Sequence, residues 1–142
     1  MKARRYFTLG ALTVFYVASR LIFLSRSPFE WDTVNYLFAI DSFSIPDARP
    51  HFPGYIFYVV LGKLAHLFIA DPLQSLYAVN FFFGIATIFS LYRLGRLFHS
   101  AAAGLAAATL FVLHPLGWFY GEVGEIYLAE AALSGWIGFL LL

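Results

Sequence analysis

Five long apolar stretches dominate this sequence, and they restrict the possible folds more than any other feature. They cover residues 6–24, 54–70, 77–98, 101–120 and 126–142. Only 12% of all residues are charged, against 61% that are hydrophobic, whereas a soluble domain carries roughly a quarter charged residues. Water is therefore a poor solvent for this chain. The sequence predicts an integral membrane protein of the all-α class, folded as a multi-pass transmembrane helical bundle.

The absence of cysteine and a near balance of charge exclude several classes of function. With no Cys, the chain has no disulfide framework, no thiolate nucleophile and no Cys-based metal site. The formal net charge of +1 comes without a basic stripe that would neutralise phosphates along a nucleic acid. Membrane lipids are the expected partners, and nucleic acid is not.

The first apolar stretch follows a basic N-terminus that contains Lys2, Arg4 and Arg5. A secretory signal also has a basic start and an apolar centre. This stretch continues over 19 residues, which as a helix spans about 28 Å and can cross a bilayer core. We therefore interpret residues 6–24 as a retained first transmembrane helix.

The distribution of basic residues predicts how the chain crosses the membrane. Basic residues favour the cytoplasmic side, so the N-terminus is expected there together with Arg93 and Arg96. An even number of crossings must separate them, and residues 6–24 and 77–98 supply two. The sequence thus predicts a location in the cell (inner) membrane, a cytoplasmic N-terminus and an outer loop over residues 25–76.

Two amphipathic helices are expected to lie in the membrane interface within this outer loop, over residues 31–42 and 54–70. In the second, Tyr55, Lys63 and His66 lie on one side of the helical wheel and most apolar residues on the other. A spanning helix would not need such a polar face. The alternative, in which this second segment crosses the membrane and the two later arginines face outward, stays open.

The last two apolar stretches, residues 101–120 and 126–142, are each expected to cross the membrane. Pro115 is expected to bend or end the first of them. The turn that carries Glu122 and Glu125 then faces the same side as the outer loop. Because the last stretch has neither a flanking charge nor a following loop, we interpret the chain as the N-terminal part of a longer protein.

Asp32 is the candidate for acid–base chemistry in the outer loop. A helix over residues 31–42 places Asp32 on its polar side, together with Asn35 and Tyr36. A carboxylate at the bilayer surface can take a proton from a hydroxyl or bind a metal. The alternative is a solvated acid near a helix start.

Three basic residues are candidates for binding a phosphate group on the outer side. Arg20 lies one turn before the end of the first helix, where snorkelling to the interface is the alternative explanation. His51 lies between two prolines that stiffen its segment, although a lone histidine near aromatic residues is often structural. Lys63, on the polar side of the second amphipathic helix, would add positive charge.

A second acidic site is expected at Glu122 and Glu125, which are spaced i, i+3 at the mouth of an apolar helix. Carboxylates there are costly unless they meet water, a cation or a substrate hydroxyl. Together with Asp32 they are the only oxygen-ligand cluster available to a divalent ion, whose participation stays open. In a rival interpretation, Glu122, Glu125 and Glu130 form the ion or proton path of a transporter.

The order of these features resembles the GT-C superfamily of membrane glycosyltransferases, which includes protein O-mannosyltransferases, aminoarabinose transferases and oligosaccharyltransferases. The match covers most of the chain. In order, the features are the basic N-terminus, Glu30-Trp31-Asp32, His51-Phe52-Pro53-Gly54-Tyr55, Asn80, the segment LYRLGRLF at 91–98, an Ala-rich helix, Pro115, and Glu122 with Glu125.

The resemblance implies that residues 1–142 belong to an inverting enzyme that moves a sugar from a polyprenyl-phosphate donor to a lipid, glycan or protein acceptor. Asp32 would be the catalytic carboxylate, and Glu122 or Glu125 the second acid. Basic residues near the membrane surface would meet the donor phosphate. This chain has Asn35 where some relatives have a second acid, so the resemblance leaves the sugar and the acceptor open.

The chemistry of sugar transfer is consistent with the same residues. The acceptor hydroxyl needs a base, and the departing phosphate needs positive charge on the opposite side of the anomeric carbon. Asp32 is the candidate base. Arg20, His51 or Lys63 would supply the positive charge.

Overall fold

The computed structural model describes residues 2–142, and the side chains of residues 5–142, as seven helices without a strand. This confirms the predicted all-α class. The helices are α1 (Lys2–Phe23), α2 (Trp31–Asp41), α3 (Ile56–His66), α4 (Pro72–Phe98), α5 (Ala101–Leu113), α6 (Pro115–Phe119) and α7 (Tyr127–Leu140). The two short helices expected in the outer loop are α2 and α3.

The start of α4 lies five residues before the predicted position because the capping residue Asp71, and not the apolar stretch, determines where this helix begins. The Asp71 carboxylate accepts hydrogen bonds from the backbone N–H groups of Leu73 (2.8 Å) and Gln74 (3.1 Å). Pro72, which has no N–H to satisfy, takes the first helical position. The resulting helix has 27 residues and is about 40 Å long.

The single helix predicted over residues 101–120 is wrong, whereas the predicted effect of Pro115 is confirmed. Backbone at His114 is extended, with φ −67° and ψ 134°, and separates α5 from α6. The imidazole of His114 then accepts a hydrogen bond from the N–H of Leu116 at 3.2 Å and caps α6. Alone, α5 has 13 residues and is about 20 Å long, shorter than a bilayer core of about 30 Å.

The long helix α4 lies at the centre of the structure, and two apolar clusters form on its sides. One cluster joins it to α2, α3 and α7, and the other joins it to α1 and α5. The first includes Tyr36, Tyr58, Leu76, Phe83 and Leu128; the second includes Leu9, Tyr16, Ile88, Tyr92 and Val112. By length and composition, α4 and α1 are the two described helices that could cross a membrane.

The two ends of this bundle differ in charge. At one end, Arg5 of α1 and Arg96 of α4 line the same small cavity; we call this the basic end. At the other, Tyr77 of α4 donates a hydrogen bond to the backbone oxygen of Ser25 (2.8 Å), and the N–H of Ser25 donates to the backbone oxygen of Glu122 (3.3 Å). We call this the acidic end. The sequence predicts that the N-terminal segment and Arg96 lie on the same side, and the shared cavity of Arg5 and Arg96 agrees with this.

Glycines allow α4 and α5 to cross closely, which gives a first testable prediction. A Cβ added at Gly104 would collide with the backbone oxygen of Tyr92, and one at Gly95 would lie 2.6 Å from the Cα of Gly104. Because backbone cannot move aside as a side chain can, we expect Gly104→Ala to destabilise the fold by about 1–3 kcal/mol. The measurement is the thermal unfolding midpoint in detergent.

The control for this substitution is Gly10→Ala in α1. A Cβ at Gly10 meets nothing within 4 Å, and alanine is favoured over glycine inside a helix by about 1 kcal/mol. The Gly10→Ala midpoint should equal or exceed the parental one. Equal midpoints for the two variants would contradict the close helix crossing.

Candidate functional site

Asp32 and His51, predicted from separate motifs, lie side by side at the acidic end. The Nδ1 atom of His51 is 3.5 Å from the Oδ1 atom of Asp32. Their side chains are 32% and 39% exposed, respectively. The Nδ1 atom itself is buried and has no hydrogen-bond partner among the described residues, so the carboxylate is the group that it faces. The pair combines an acid and an imidazole that a ligand can reach.

Tyrosine rings pack around His51 and fix its position. Its ring centroid lies 6.2 Å from that of Tyr36 on α2 and 5.5 Å from that of Tyr55. The backbone of Tyr55 has φ 38° and follows Gly54 at φ 94°. A left-handed tyrosine costs about 1–3 kcal/mol, and such conformations cluster at functional sites. The sharp turn before α3 therefore positions the Tyr55 ring against His51.

Glu125 is the buried acid of this site, only 1% exposed. The Thr33 hydroxyl, one residue after Asp32, donates a hydrogen bond to its Oε1 atom. Burial raises the pKa of Glu125 to about 7; the Thr33 bond opposes this rise, and the charges of Asp32 and Glu30 add to it. Glu125 can therefore change its protonation state near neutral pH, next to an acid that stays accessible.

Asn80, to which sequence reasoning assigned no site role, connects three elements beneath this site. Its Oδ1 atom accepts a hydrogen bond from the Tyr58 hydroxyl of α3 at 2.9 Å, and its amide donates to the backbone oxygen of Val123. Asn80 is fully buried. A buried amide inside an apolar stretch needs such partners, and this is the signal that could have identified it. The network fixes the turn that carries Glu125.

Glu122 lies apart from this site, although it was predicted to act with Glu125. It accepts a hydrogen bond from Trp118 and lies near Arg20. Burial raises the pKa of Glu122, while the Trp118 bond and the positive charge of Arg20 lower it. The structure thus divides the predicted second acidic site, and only Glu125 accompanies Asp32.

Arg20, a predicted phosphate ligand, is fully buried. Its guanidinium donates hydrogen bonds to the Ser19 hydroxyl (2.9 Å) and to the backbone oxygen of Val112 (2.6 Å), and lies 4.2 Å from the Trp118 ring centroid. It neither snorkels to the surface nor faces an open site. In this arrangement Arg20 joins α1 to the end of α5.

Lys63, another predicted phosphate ligand, is half-buried on α3. It lies eight residues, or about 12 Å of helix, beyond Tyr55. No carboxylate pairs with it within the part of the chain that the structure describes, so its charge is available to an anion. His66, expected on the same polar face, is instead 2.9 Å from the backbone oxygen of Ile69.

The acids do not assemble into a metal site. Within residues 2–142, no group of three or more His, Asp or Glu side chains could hold a metal ion. The expected cluster of Asp32, Glu122 and Glu125 therefore does not form, because Glu122 lies beside Arg20. Glu130 is exposed on the first turn of α7. The three acids of the rival ion path thus occupy three different environments.

An apolar cavity of about 420 Å³ lies between α5, α6 and α7. Its wall includes Leu110, Phe111, Leu116, Tyr120, Tyr127 and Leu128. The rings of Tyr120 and Tyr127 are 4.4 Å apart, and these residues flank the turn that carries Glu125. The cavity can take a hydrocarbon group next to the acidic site.

No family model, curated protein or solved structure matches this chain. The likeness to the GT-C superfamily therefore rests on the sequence motifs alone.

Proposed function

We propose that this chain is part of a membrane glycosyltransferase that moves a sugar from a polyprenyl phosphate to an acceptor hydroxyl at the acidic end. The observation that carries the proposal is the 3.5 Å approach of Asp32 and His51 beside the buried Glu125. Two acids in different environments, one accessible and one buried, are typical of sites that move protons.

Asp32 acts as the base in this proposal. It accepts the proton of the acceptor hydroxyl while the hydroxyl oxygen forms a bond to the anomeric carbon. The bond between that carbon and the phosphate oxygen breaks, and its electron pair leaves with the polyprenyl phosphate. The sugar is transferred with inversion.

The position of His51 changes the role that we propose for it. The base and the departing phosphate lie on opposite sides of the anomeric carbon, whereas His51 lies beside Asp32. We therefore assign His51 to orienting Asp32, as a positioning residue. Among the predicted phosphate ligands, Lys63 is then the one whose charge is available to the donor phosphate, since Arg20 is buried.

Exposed apolar side chains support a membrane location. Phe7 and Ile22 on α1 are 78% and 75% exposed, and Phe57 on α3 is 84% exposed. Apolar surface of this kind is unfavourable in water and favourable in lipid. We place the acidic end at the outer face, the basic end in the cytoplasm and the polyprenyl chain in the 420 Å³ cavity.

A transfer assay tests this function. Membranes that contain the chain, with any sequence that its gene encodes downstream, receive polyprenyl phosphates that carry radiolabelled hexoses or pentoses. We expect polyprenyl phosphate to be released as label enters lipid, glycan or protein acceptors, and membranes without the chain to show neither change. Intact donors throughout the panel, with cation flux that depends on Glu125, would favour the transporter instead.

A further inference from the structure

The basic end carries three arginines whose charge no carboxylate balances. Arg5 lies on α1, and Arg93 and Arg96 lie in the last two turns of α4. All eight acids of the chain fall within residues 30–71 and 122–130. The one ion pair that the structure records between described residues belongs to the acidic end. The basic end is thus an uncompensated patch of positive charge.

Arg96 lines two cavities at this end. The first, of about 110 Å³ between α1 and α4, is lined by Arg5, Tyr6, Tyr92 and Arg96. The second, of about 300 Å³ on the side of α7, is lined by Arg93, Arg96, Leu97 and Phe139. The positive charges of Arg5 and Arg96, which line the same cavity, repel each other, and an anion between them removes that repulsion. Guanidinium groups also match the geometry of phosphate oxygens.

The surface next to these cavities is apolar. Tyr6, which lines the first cavity, is 59% exposed, and Leu97, which lines the second, is 51% exposed. A small soluble anion would leave this apolar surface in contact with water. A ligand that joins a phosphate to hydrocarbon chains covers both kinds of surface.

We propose that the basic end binds an anionic phospholipid between α1 and α4, with its phosphate between Arg5 and Arg96 and its acyl chains against Tyr6 and, beyond Arg96, Leu97. The inference uses the membrane placement of the proposed function and is independent of sugar transfer. Basic pockets between helices on the cytoplasmic side are a known way to bind anionic headgroups.

Lipid retention tests the proposal. The full chain, purified in a neutral detergent, is mixed with phosphatidylglycerol or phosphatidylcholine, and bound lipid is counted by native mass spectrometry. We expect phosphatidylglycerol to be retained about tenfold better or more, because each arginine near the headgroup contributes about fivefold. The double variant Arg5→Gln/Arg96→Gln should lose most of this preference.

Two further variants distinguish the loss of positive charge at this site from a general effect of the substitutions on the protein. Arg96→Lys keeps the charge and should keep a large part of the preference. Arg26→Gln removes an exposed arginine near the acidic end and should keep all of it. Equal retention of both lipids by the parental chain overturns the proposal. So does full preference in an Arg5→Gln/Arg96→Gln variant that keeps the parental thermal midpoint.

The source of the phosphate and the link to the proposed function are also tested. If millimolar inorganic phosphate removes all bound phosphatidylglycerol, the site takes a free anion and the lipid assignment fails. A chain that retains phosphatidylglycerol selectively but never transfers sugar supports the lipid site and contradicts the proposed function alone. Sugar transfer without lipid preference contradicts the lipid site alone.

Discussion

We expect Asp32→Asn to lower the turnover of sugar transfer by about 10²-fold or more, with the KM for the donor nearly unchanged. Asparagine keeps the shape of the side chain and removes its negative charge and its basicity. The proposed base, the Asp32 carboxylate that lies 3.5 Å from His51, is then missing. The proposed donor contacts at Lys63 and in the apolar cavity are unaltered, so donor binding should remain. The measurement is the steady-state rate with radiolabelled donor in membranes.

Asp41→Asn is the matched control for this substitution. Asp41 is exposed at the last position of α2, so the same chemical change on the same helix should leave turnover at the parental value. Parental turnover in the Asp32→Asn variant as well would reduce Asp32 to a solvated acid near a helix start. The catalytic assignment would then move to Glu125.

His51→Gln distinguishes a positioning role from a catalytic one. If His51 orients Asp32, its loss should lower turnover by about tenfold and leave the KM for the donor nearly unchanged. A loss as large as that of Asp32→Asn, together with a higher KM for the donor, would return His51 to the phosphate-binding role.

The difference between the predicted and observed sites has a physical reason. The i, i+3 spacing of Glu122 and Glu125 predicts a shared side only if these residues are helical. They lie in the turn between α6 and α7, so one carboxylate points to Thr33 and the other to Trp118. Spacing rules for helices do not apply to such a turn.

Arg20 shows a second limit of sequence reasoning. On an isolated helix, an arginine near the end snorkels to the interface. Here it meets the backbone oxygen of Val112, 92 residues later in the chain, and the ring of Trp118. Only tertiary packing brings these partners together, whereas the apolar stretches that define the helices are visible in the sequence itself.

For the Asp32–His51 pair, the sequence identifies the two residues but not their contact. Each residue was a candidate from its local motif, because one begins a short helix and the other lies in a segment stiffened by proline. Their contact depends on the path of the loop between α2 and α3, including the left-handed turn at Tyr55. The sequence therefore predicts the participants, and the fold determines which of them meet.

The second large effect is expected on stability, from Glu125→Gln. Burial raises the pKa of Glu125 from 4.5 to about 7. The folded state therefore binds more protons than the unfolded state between these two values. The free energy of unfolding falls as pH rises through this window, and the full penalty of the buried charge is present above pH 7. For a shift of this size the penalty is about 3 kcal/mol.

Glutamine has nearly the same shape, accepts the same hydrogen bond from Thr33 and carries no charge. At pH 8 we expect Glu125→Gln to be more stable than the parental chain by up to about 3 kcal/mol, or on the order of 10 °C in the thermal midpoint. At pH 4.5 the two midpoints should nearly coincide, because Glu125 is then neutral in the folded parental chain. Glu130→Gln, at an exposed position, should follow the parental curve at every pH. A Glu125→Gln midpoint that stays parallel to the parental one from pH 4.5 to 8 would show that folding does not raise the pKa of Glu125. Glu125 would then not be the acid that changes its protonation state near neutral pH beside Asp32.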